Sequence, residues 1–135
     1  MKEILIPVSP GELLDKITIL QIKSQRISDK DKLVNVLKEL DILNEIWSKI
    51  VSDDPTIEQM TKELITINQS LWDIENDIRD EEKHRNFGER FIELARSVYI
   101  TNDKRADMKK KVNIYLGSKI IEEKSYQDYS QSAAH

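Results

Sequence analysis

Hydrophobic residues recur along most of the chain at alternating steps of three and four positions. The three clearest rows are Leu13, Ile17, Leu20, Ser24 and Ile27; Leu33, Val36, Leu40, Leu43, Trp47 and Ile50; and Ile57, Met60, Leu64, Ile67, Leu71, Ile74 and Ile78. An average period of 3.5 is typical of helices that pack against one another along a seam. The pattern therefore predicts long amphipathic helices.

Residues that begin and end helices stand between these rows. Ser9 to Glu12 combines a capping box with proline at the first helical position. Asp29 and Asp54 are placed to cap the second and third helices, and Gly88 opens a fourth. Gly117 is expected to end it, because glycine tolerates the left-handed backbone of a helix terminus. The sequence predicts four helices joined by short loops.

When consecutive helices are paired as antiparallel hairpins, the apolar residues of one helix fall at the same height along the axis as those of the next. In the second and third helices, Ile50 meets Ile57 and Leu40 meets Ile67. Short loops make sequential helices antiparallel neighbours. We therefore expect an all-α fold, an antiparallel up-down bundle of about four long helices. The alternation over residues 3–8 predicts a short strand-like segment before them.

The composition fits one domain, which we place at residues 1–129, followed by a disordered tail at 130–135. The chain has no cysteine, and its longest apolar runs are too short to span a bilayer. The net charge of −4 argues against nucleic-acid binding. We expect a cytoplasmic protein with no membrane or nucleic-acid partner and no cofactor.

The first helix carries a second apolar line, formed by Leu14, Ile19 and Ile22. A helix that is hydrophobic on more than one face is buried at the centre of a fold or covered by a partner. Two interpretations stay open at this point, burial within the chain and a homodimer interface.

Polar residues interrupt the row of the fourth helix, where Thr101 and Arg105 fall in the middle of the seam. A buried arginine needs partners or an open cleft, because an unpaired buried charge is costly. Aligning the helices brings eight polar residues within about two turns of one another. These candidate site residues are Lys23, Arg26, Asn68, Asp73, Glu75, Tyr99, Asn102 and Arg105.

Two hypotheses account for this cluster. Its members form salt bridges that fix the helix register, or they line a pocket for a small anionic ligand. In the second case Lys23, Arg26 and Arg105 would bind the anion, and Asp73 or Glu75 would orient them or act as an acid or base. No catalytic motif is present, so catalytic residues and enzymatic activity stay open. The acidic residues from 73 to 82 are interpreted as a charged helical face, with no metal site.

Four segments resemble an uncharacterised bacterial and phage family, the domain-of-unknown-function 6165 group. They are Pro7 to Leu20, Leu71 to Arg79, Phe87 to Ala106 and Leu116 to Tyr126. The resemblance implies that the polar motifs are family hallmarks, but it brings no activity. A fainter similarity links Leu13 to Arg26 with the first helix of all-helical chorismate mutases, which supplies an arginine to an anionic substrate. We expect a helical interaction or assembly module or, alternatively, a binding protein or enzyme for a small anionic metabolite.

Overall fold

A computed structural model describes residues 2–130, and the regular elements in that part of the chain are all helices. They are α1 (Pro10–Arg26), α2 (Lys30–Ile50), α3 (Pro55–Lys83) and α4 (Glu89–Tyr115). Residues 2–9 have no regular secondary structure, so the strand-like segment predicted over 3–8 is not confirmed. Residues 131–135, most of the predicted tail, lie outside the described residues. Across residues 2–130 no helix is both long enough and apolar enough to cross a bilayer.

The predicted helix boundaries are confirmed by the hydrogen bonds that close them. Ser9 accepts the backbone N–H of Glu12 at 3.2 Å, and Asp29 and Asp54 accept two backbone N–H groups each. After α4, Gly117 has a positive φ of 68°, as the expected glycine terminus requires. The fourth helix runs unbroken through its polar middle at 101–103. Local sequence signals thus set all four helices.

α1 lies at the centre of the molecule, in contact with each of the other three helices. Both of its apolar rows are covered, since Leu13 and Ile17 on one and Leu14 and Ile22 on the other are all buried. Burial within the chain therefore accounts for the two-faced pattern. Ile19 of the second row is only partly buried, so the homodimer interface on α1 stays a prediction.

α3 and α4 pack along their length and run in opposite directions. Tyr115, at the end of α4, donates to the carboxylate of Asp54 at the start of α3. At the other end, Arg90 lies 3.5 Å from Glu81. The buried core forms where these helices meet α1, and consists of Leu14, Ile57, Leu64, Met108 and Val112.

The predicted pairing of α2 with α3 is wrong. α2 packs against α1 alone, and only Trp47 and the following Val51 reach the core that α3 shares. The reason is physical: a row of period 3.5 fixes which face of a helix is covered, but it does not fix which neighbour covers it. The apolar seam of α2 faces α1, so a bundle of four mutually packed helices is not confirmed.

Candidate functional site

A cavity of about 370 Å³ opens between α1, α3 and α4. Five of the eight predicted site residues line it: Lys23, Asn68, Glu75, Asn102 and Arg105. Six further residues complete its wall, namely Ile19, Ile22, Leu71, Trp72, Asn76 and Arg79. Its volume lies near the lower end of the range for small-molecule sites.

Helical spacing explains why these side chains meet. On α3 the lining residues recur three and four positions apart, which places Asn68, Leu71 and Glu75 along one face. On α4, Arg105 belongs to the interrupted row, and Asn102 lies beside that row one turn before it. Arg105 and Asn102 of α4 therefore face the cavity together.

Asn68 joins α3 to α1 beneath the cavity. Its side-chain amide donates to the carboxylate of Asp15 at 2.9 Å and to the hydroxyl of Thr18 at 2.9 Å. Thr18 in turn donates to the backbone carbonyl of Asp15 at 2.8 Å. Asp15 is only 4% exposed, and a buried carboxylate without such a donor is costly. The network therefore fixes the position of Asn68 at the cavity wall.

The cavity is positively charged. Lys23, Arg79 and Arg105 contribute three cationic side chains, and Glu75 contributes one carboxylate. Glu75 is bonded to Arg79. Within residues 2–130, neither Lys23 nor Arg105 has a carboxylate oxygen within 4 Å of its charged nitrogens. Two cations thus face the same space in a chain whose net charge is −4.

Three predicted site residues lie outside this cavity. Arg26 bonds to Asp73 at 2.5 Å, with its guanidinium 6.0 Å from the centre of the Trp72 ring. Asp73 therefore pairs with Arg26 and not with Arg105. Tyr99 lies elsewhere on α4, where its ring meets the edge of Tyr129 with 5.1 Å between the centroids.

The sequence prediction missed Trp72, Asn76 and Arg79. A signal was present, because Trp72 and Asn76 stand four and eight positions after Asn68 and therefore share its face of α3. Arg79 follows Glu75 by four positions, the spacing of a helical ion pair. Extending the spacing rule from Asn68 along α3 would have found all three.

Four acidic residues of α3 are paired with arginines. Arg26, Arg79 and Arg90 bond to carboxylates on this helix, which are Asp73, Glu75, Asp77 and Glu81. In the part of the chain that the structure describes, no three acidic or histidine side chains are arranged to hold a metal ion.

A second polar contact joins α1 to α4. The Lys109 ammonium lies 2.5 Å from Glu12 and 3.5 Å from Glu122. Partial burial tends to raise the pKa of Glu12, but the hydrogen bond and charge of Lys109 outweigh it, and the pKa falls below its usual 4.5. Burial likewise tends to lower the pKa of Lys109, yet the same pair holds it above 10.5. The capping-box glutamate thus bonds across to α4.

A protein-family model described as "Family of unknown function (DUF6165)" matches residues 4–134. This confirms the resemblance seen in the sequence, which itself covers nearly the whole chain. The comparisons with curated proteins and with solved structures produced no match.

Proposed function

We propose that this chain, which belongs to the DUF6165 family of unknown function, binds a small anionic metabolite in the cavity between α1, α3 and α4. One observation carries the proposal. Lys23 and Arg105 both face this cavity, and neither has a carboxylate partner within residues 2–130.

Electrostatics favours an anion as the occupant. Like charges that share a partly enclosed space repel one another, and the repulsion is strongest where water is scarce. The Glu12 carboxylate attracts Arg105 only from beyond 4 Å, so a ligand carrying carboxylate or phosphate supplies the direct countercharge that both cations lack. The planar guanidinium of Arg105 can hold two oxygens of such a group at once, while Lys23 provides a point charge.

The remaining wall suits the body of a small organic molecule. Ile19, Ile22 and Leu71 form an apolar side, and Trp72 adds an aromatic ring. Asn102 supplies an amide that can both donate and accept hydrogen bonds. Ligand sites commonly combine a mostly apolar wall with a few convergent polar groups, so we expect a ligand with one anionic end and an apolar or aromatic body.

The Glu75–Arg79 pair gives the cavity its second polar side. The carboxylate of Glu75 is held by Arg79 one turn further along α3. A carboxylate fixed in this way can accept hydrogen bonds from hydroxyl or amino groups of the ligand. We therefore expect the ligand to carry a donor group several ångströms from its anionic end.

Titration calorimetry with two probes tests the proposal. Inorganic phosphate offers the anion alone, and phenyl phosphate adds an aromatic body. We expect phenyl phosphate to bind more tightly, because it also buries apolar surface. Its affinity should fall as salt is added, since screening weakens the attraction between charges.

Two variants with the same loss of charge locate the binding. Arg105→Gln removes a cation that lines the cavity, and Lys104→Gln removes its neighbour on α4, which lies outside it. We expect the first to weaken phenyl phosphate binding about tenfold or more, since a charged hydrogen bond is worth roughly 1.5–3 kcal/mol. The second should leave affinity within about twofold at moderate salt. Equal losses, or no binding of either probe to the wild-type chain, contradict the proposal.

A further inference from the structure

α2 is the most exposed of the four helices. It packs against α1, only Trp47 at its end reaches the shared core, and Val36 is the single buried residue among its 21. Helices of a globular domain normally cover their apolar stripe, so a helix this exposed presents apolar side chains to water. The helix therefore has a face that nothing within residues 2–130 covers.

Three isoleucines form a row on that face. Ile42, Ile46 and Ile50 follow one another at steps of four, and they are 43%, 44% and 51% exposed. Ile42 and Ile46 lie off the seam that meets α1, because Ile46 points about 100° around the helix axis from its neighbour Trp47. Ile50 stands at the end of that seam, where the row reaches it, and its side chain is still half exposed. Isolated exposed apolar residues are ordinary, but a continuous row on one face marks an interaction surface.

The charges beside the row favour a second copy of the same helix. Glu45 and Lys49 flank Ile46 and lie 4.0 Å apart within the chain. α2 carries four lysines and four acidic residues, so it is neutral in a chain whose net charge is −4. Two α2 helices can therefore approach without the repulsion that other surfaces of two like-charged chains would meet.

We propose that two copies of the chain pair through α2, with their helices antiparallel about a two-fold axis at Ile46. In this register Ile46 meets the partner's Ile46, and Ile42 meets the partner's Ile50. Glu45 then comes within two residues, about 3 Å along the axis, of the partner's Lys49. A two-fold pair uses each contact twice, so one row and one charge pair complete the interface.

The small size of the row sets the strength of the pair. Three isoleucines and two charge pairs cover less than a standard interface of about 800 Å² per partner. The dimer is therefore concentration-dependent, and it dissociates on dilution.

Sedimentation velocity over a range of micromolar concentrations measures the association. The wild-type chain should shift from monomer to dimer as its concentration rises. Ile46→Glu places two carboxylates against each other at the axis and should raise the dissociation constant about tenfold or more. Val34→Glu, at a position on α2 that is 64% exposed and outside the row, is the matched control and should not.

A charge exchange tests the register. Glu45→Lys should weaken the dimer, because it puts two lysines together across the axis. The double variant Glu45→Lys/Lys49→Glu restores the complementary pairs and should recover the wild-type dissociation constant. If Glu45 and Lys49 interacted only within their own helix, neither the single nor the double variant would change the dissociation constant of the dimer.

Cross-linking provides a second measurement that does not depend on affinity. The chain has no cysteine, so a single introduced cysteine can form a disulfide only with its own copy in a second chain. Under mild oxidation Ile46→Cys should form a disulfide-linked dimer, and Val34→Cys should stay monomeric, because only the axis brings identical residues within bonding distance. A wild-type chain that stays monomeric, or equal cross-linking of the two variants, would overturn the proposal.

Discussion

Gly11 of α1 lies against the backbone of Lys109 of α4, so close that a β-carbon on Gly11 would stand 2.3 Å from the carbonyl oxygen of Lys109. The backbone N–H of Gly11 donates to the side-chain oxygen of Asn113 at 2.6 Å. Glycine is needed here for close approach, because no side chain fits between the two helices. This close approach of α1 and α4 lets the buried side chains of α1 pack against α4.

Gly11→Ala should therefore destabilise the fold. The added methyl must push α1 away from α4, and overpacking of this kind costs about 1–3 kcal/mol. Urea unfolding followed by circular dichroism measures the change. The control is Gly88→Ala, since a β-carbon there meets nothing within 4 Å. This variant loses only the advantage of glycine over alanine as the N-cap of α4, so it should cost about 0.5 kcal/mol, less than Gly11→Ala. Similar losses for both variants would show that the close approach does not matter.

Asn68→Ala should also lower stability, by about 1–3 kcal/mol, because it removes a donor from the buried carboxylate of Asp15. Asn76→Ala is the matched control. It removes the same amide from the same helix at an exposed position on the cavity wall. We expect the urea midpoint to fall clearly for Asn68→Ala and to stay within experimental error for Asn76→Ala. The opposite order would contradict the role of Asn68 as the donor to Asp15.

The sequence predicted local structure better than it predicted which helices meet. Capping residues such as Ser9 and Asp54 act on their own helix, so the chemistry that ends a helix is visible in adjacent residues. The row of α2 could be aligned equally well with α1 and with α3. Because α1 has two apolar faces, it takes the central position, and α2 is left with one neighbour.

The candidate site was predicted in part for the same reason. Arg105 stood out because a charge in a hydrophobic seam needs an explanation, and it does line the cavity. Aligning the helices placed Asp73 level with Arg26, and the two side chains do bond, but the same alignment grouped both with Arg105 in one cluster. Level alone does not say which way a side chain points, and Asp73 faces Arg26. Direction around the axis decides which residues share a site.

The Glu12–Lys109 pair gives the stability a defined dependence on pH. The pKa of Glu12 is lowered in the folded chain, so its contribution is complete above its usual 4.5 and is lost as the pH falls through the lower folded value. The pKa of Lys109 is raised, so its contribution is complete below 10.5 and is lost as the pH rises beyond that.

Glu12→Gln should therefore flatten part of the acid limb below pH 4.5 and lower the stability at neutral pH. Unfolding free energies measured from acid to neutral pH check this. Glu58→Gln, on the exposed first turn of α3, is the control for removing a carboxylate near a helix start. If the unfolding free energies of both variants depended on pH as the wild type does, the Glu12–Lys109 pair would not be a source of the acid dependence.

Two helix ends offer a test of backbone strain. Arg85 after α3 and Gly117 after α4 both have left-handed backbones, with φ of 56° and 68°. The left-handed region costs a residue with a β-carbon roughly 1–2 kcal/mol, partly offset by the greater freedom of glycine in the unfolded chain. Arg85→Gly should thus raise stability by up to about 1 kcal/mol, and Gly117→Ala should lower it by a similar amount. Thermal unfolding of the two variants should move in opposite directions.

Arg105→Ala separates a structural role of this residue from a binding role. If Arg105 were held in a buried ion pair, its removal would strand a carboxylate and cost about 3–5 kcal/mol. Within residues 2–130, however, Arg105 has no such partner, and it shares the cavity with Lys23. Its removal strands no carboxylate within ion-pair distance and loses only a longer-range attraction to Glu12, so the urea midpoint should stay nearly unchanged while phenyl phosphate binding is lost. The control is Arg26→Ala, which removes a cation outside the cavity, breaks the exposed pair with Asp73 and should leave binding intact. A clear drop in the midpoint of Arg105→Ala would instead identify the arginine as part of the structure.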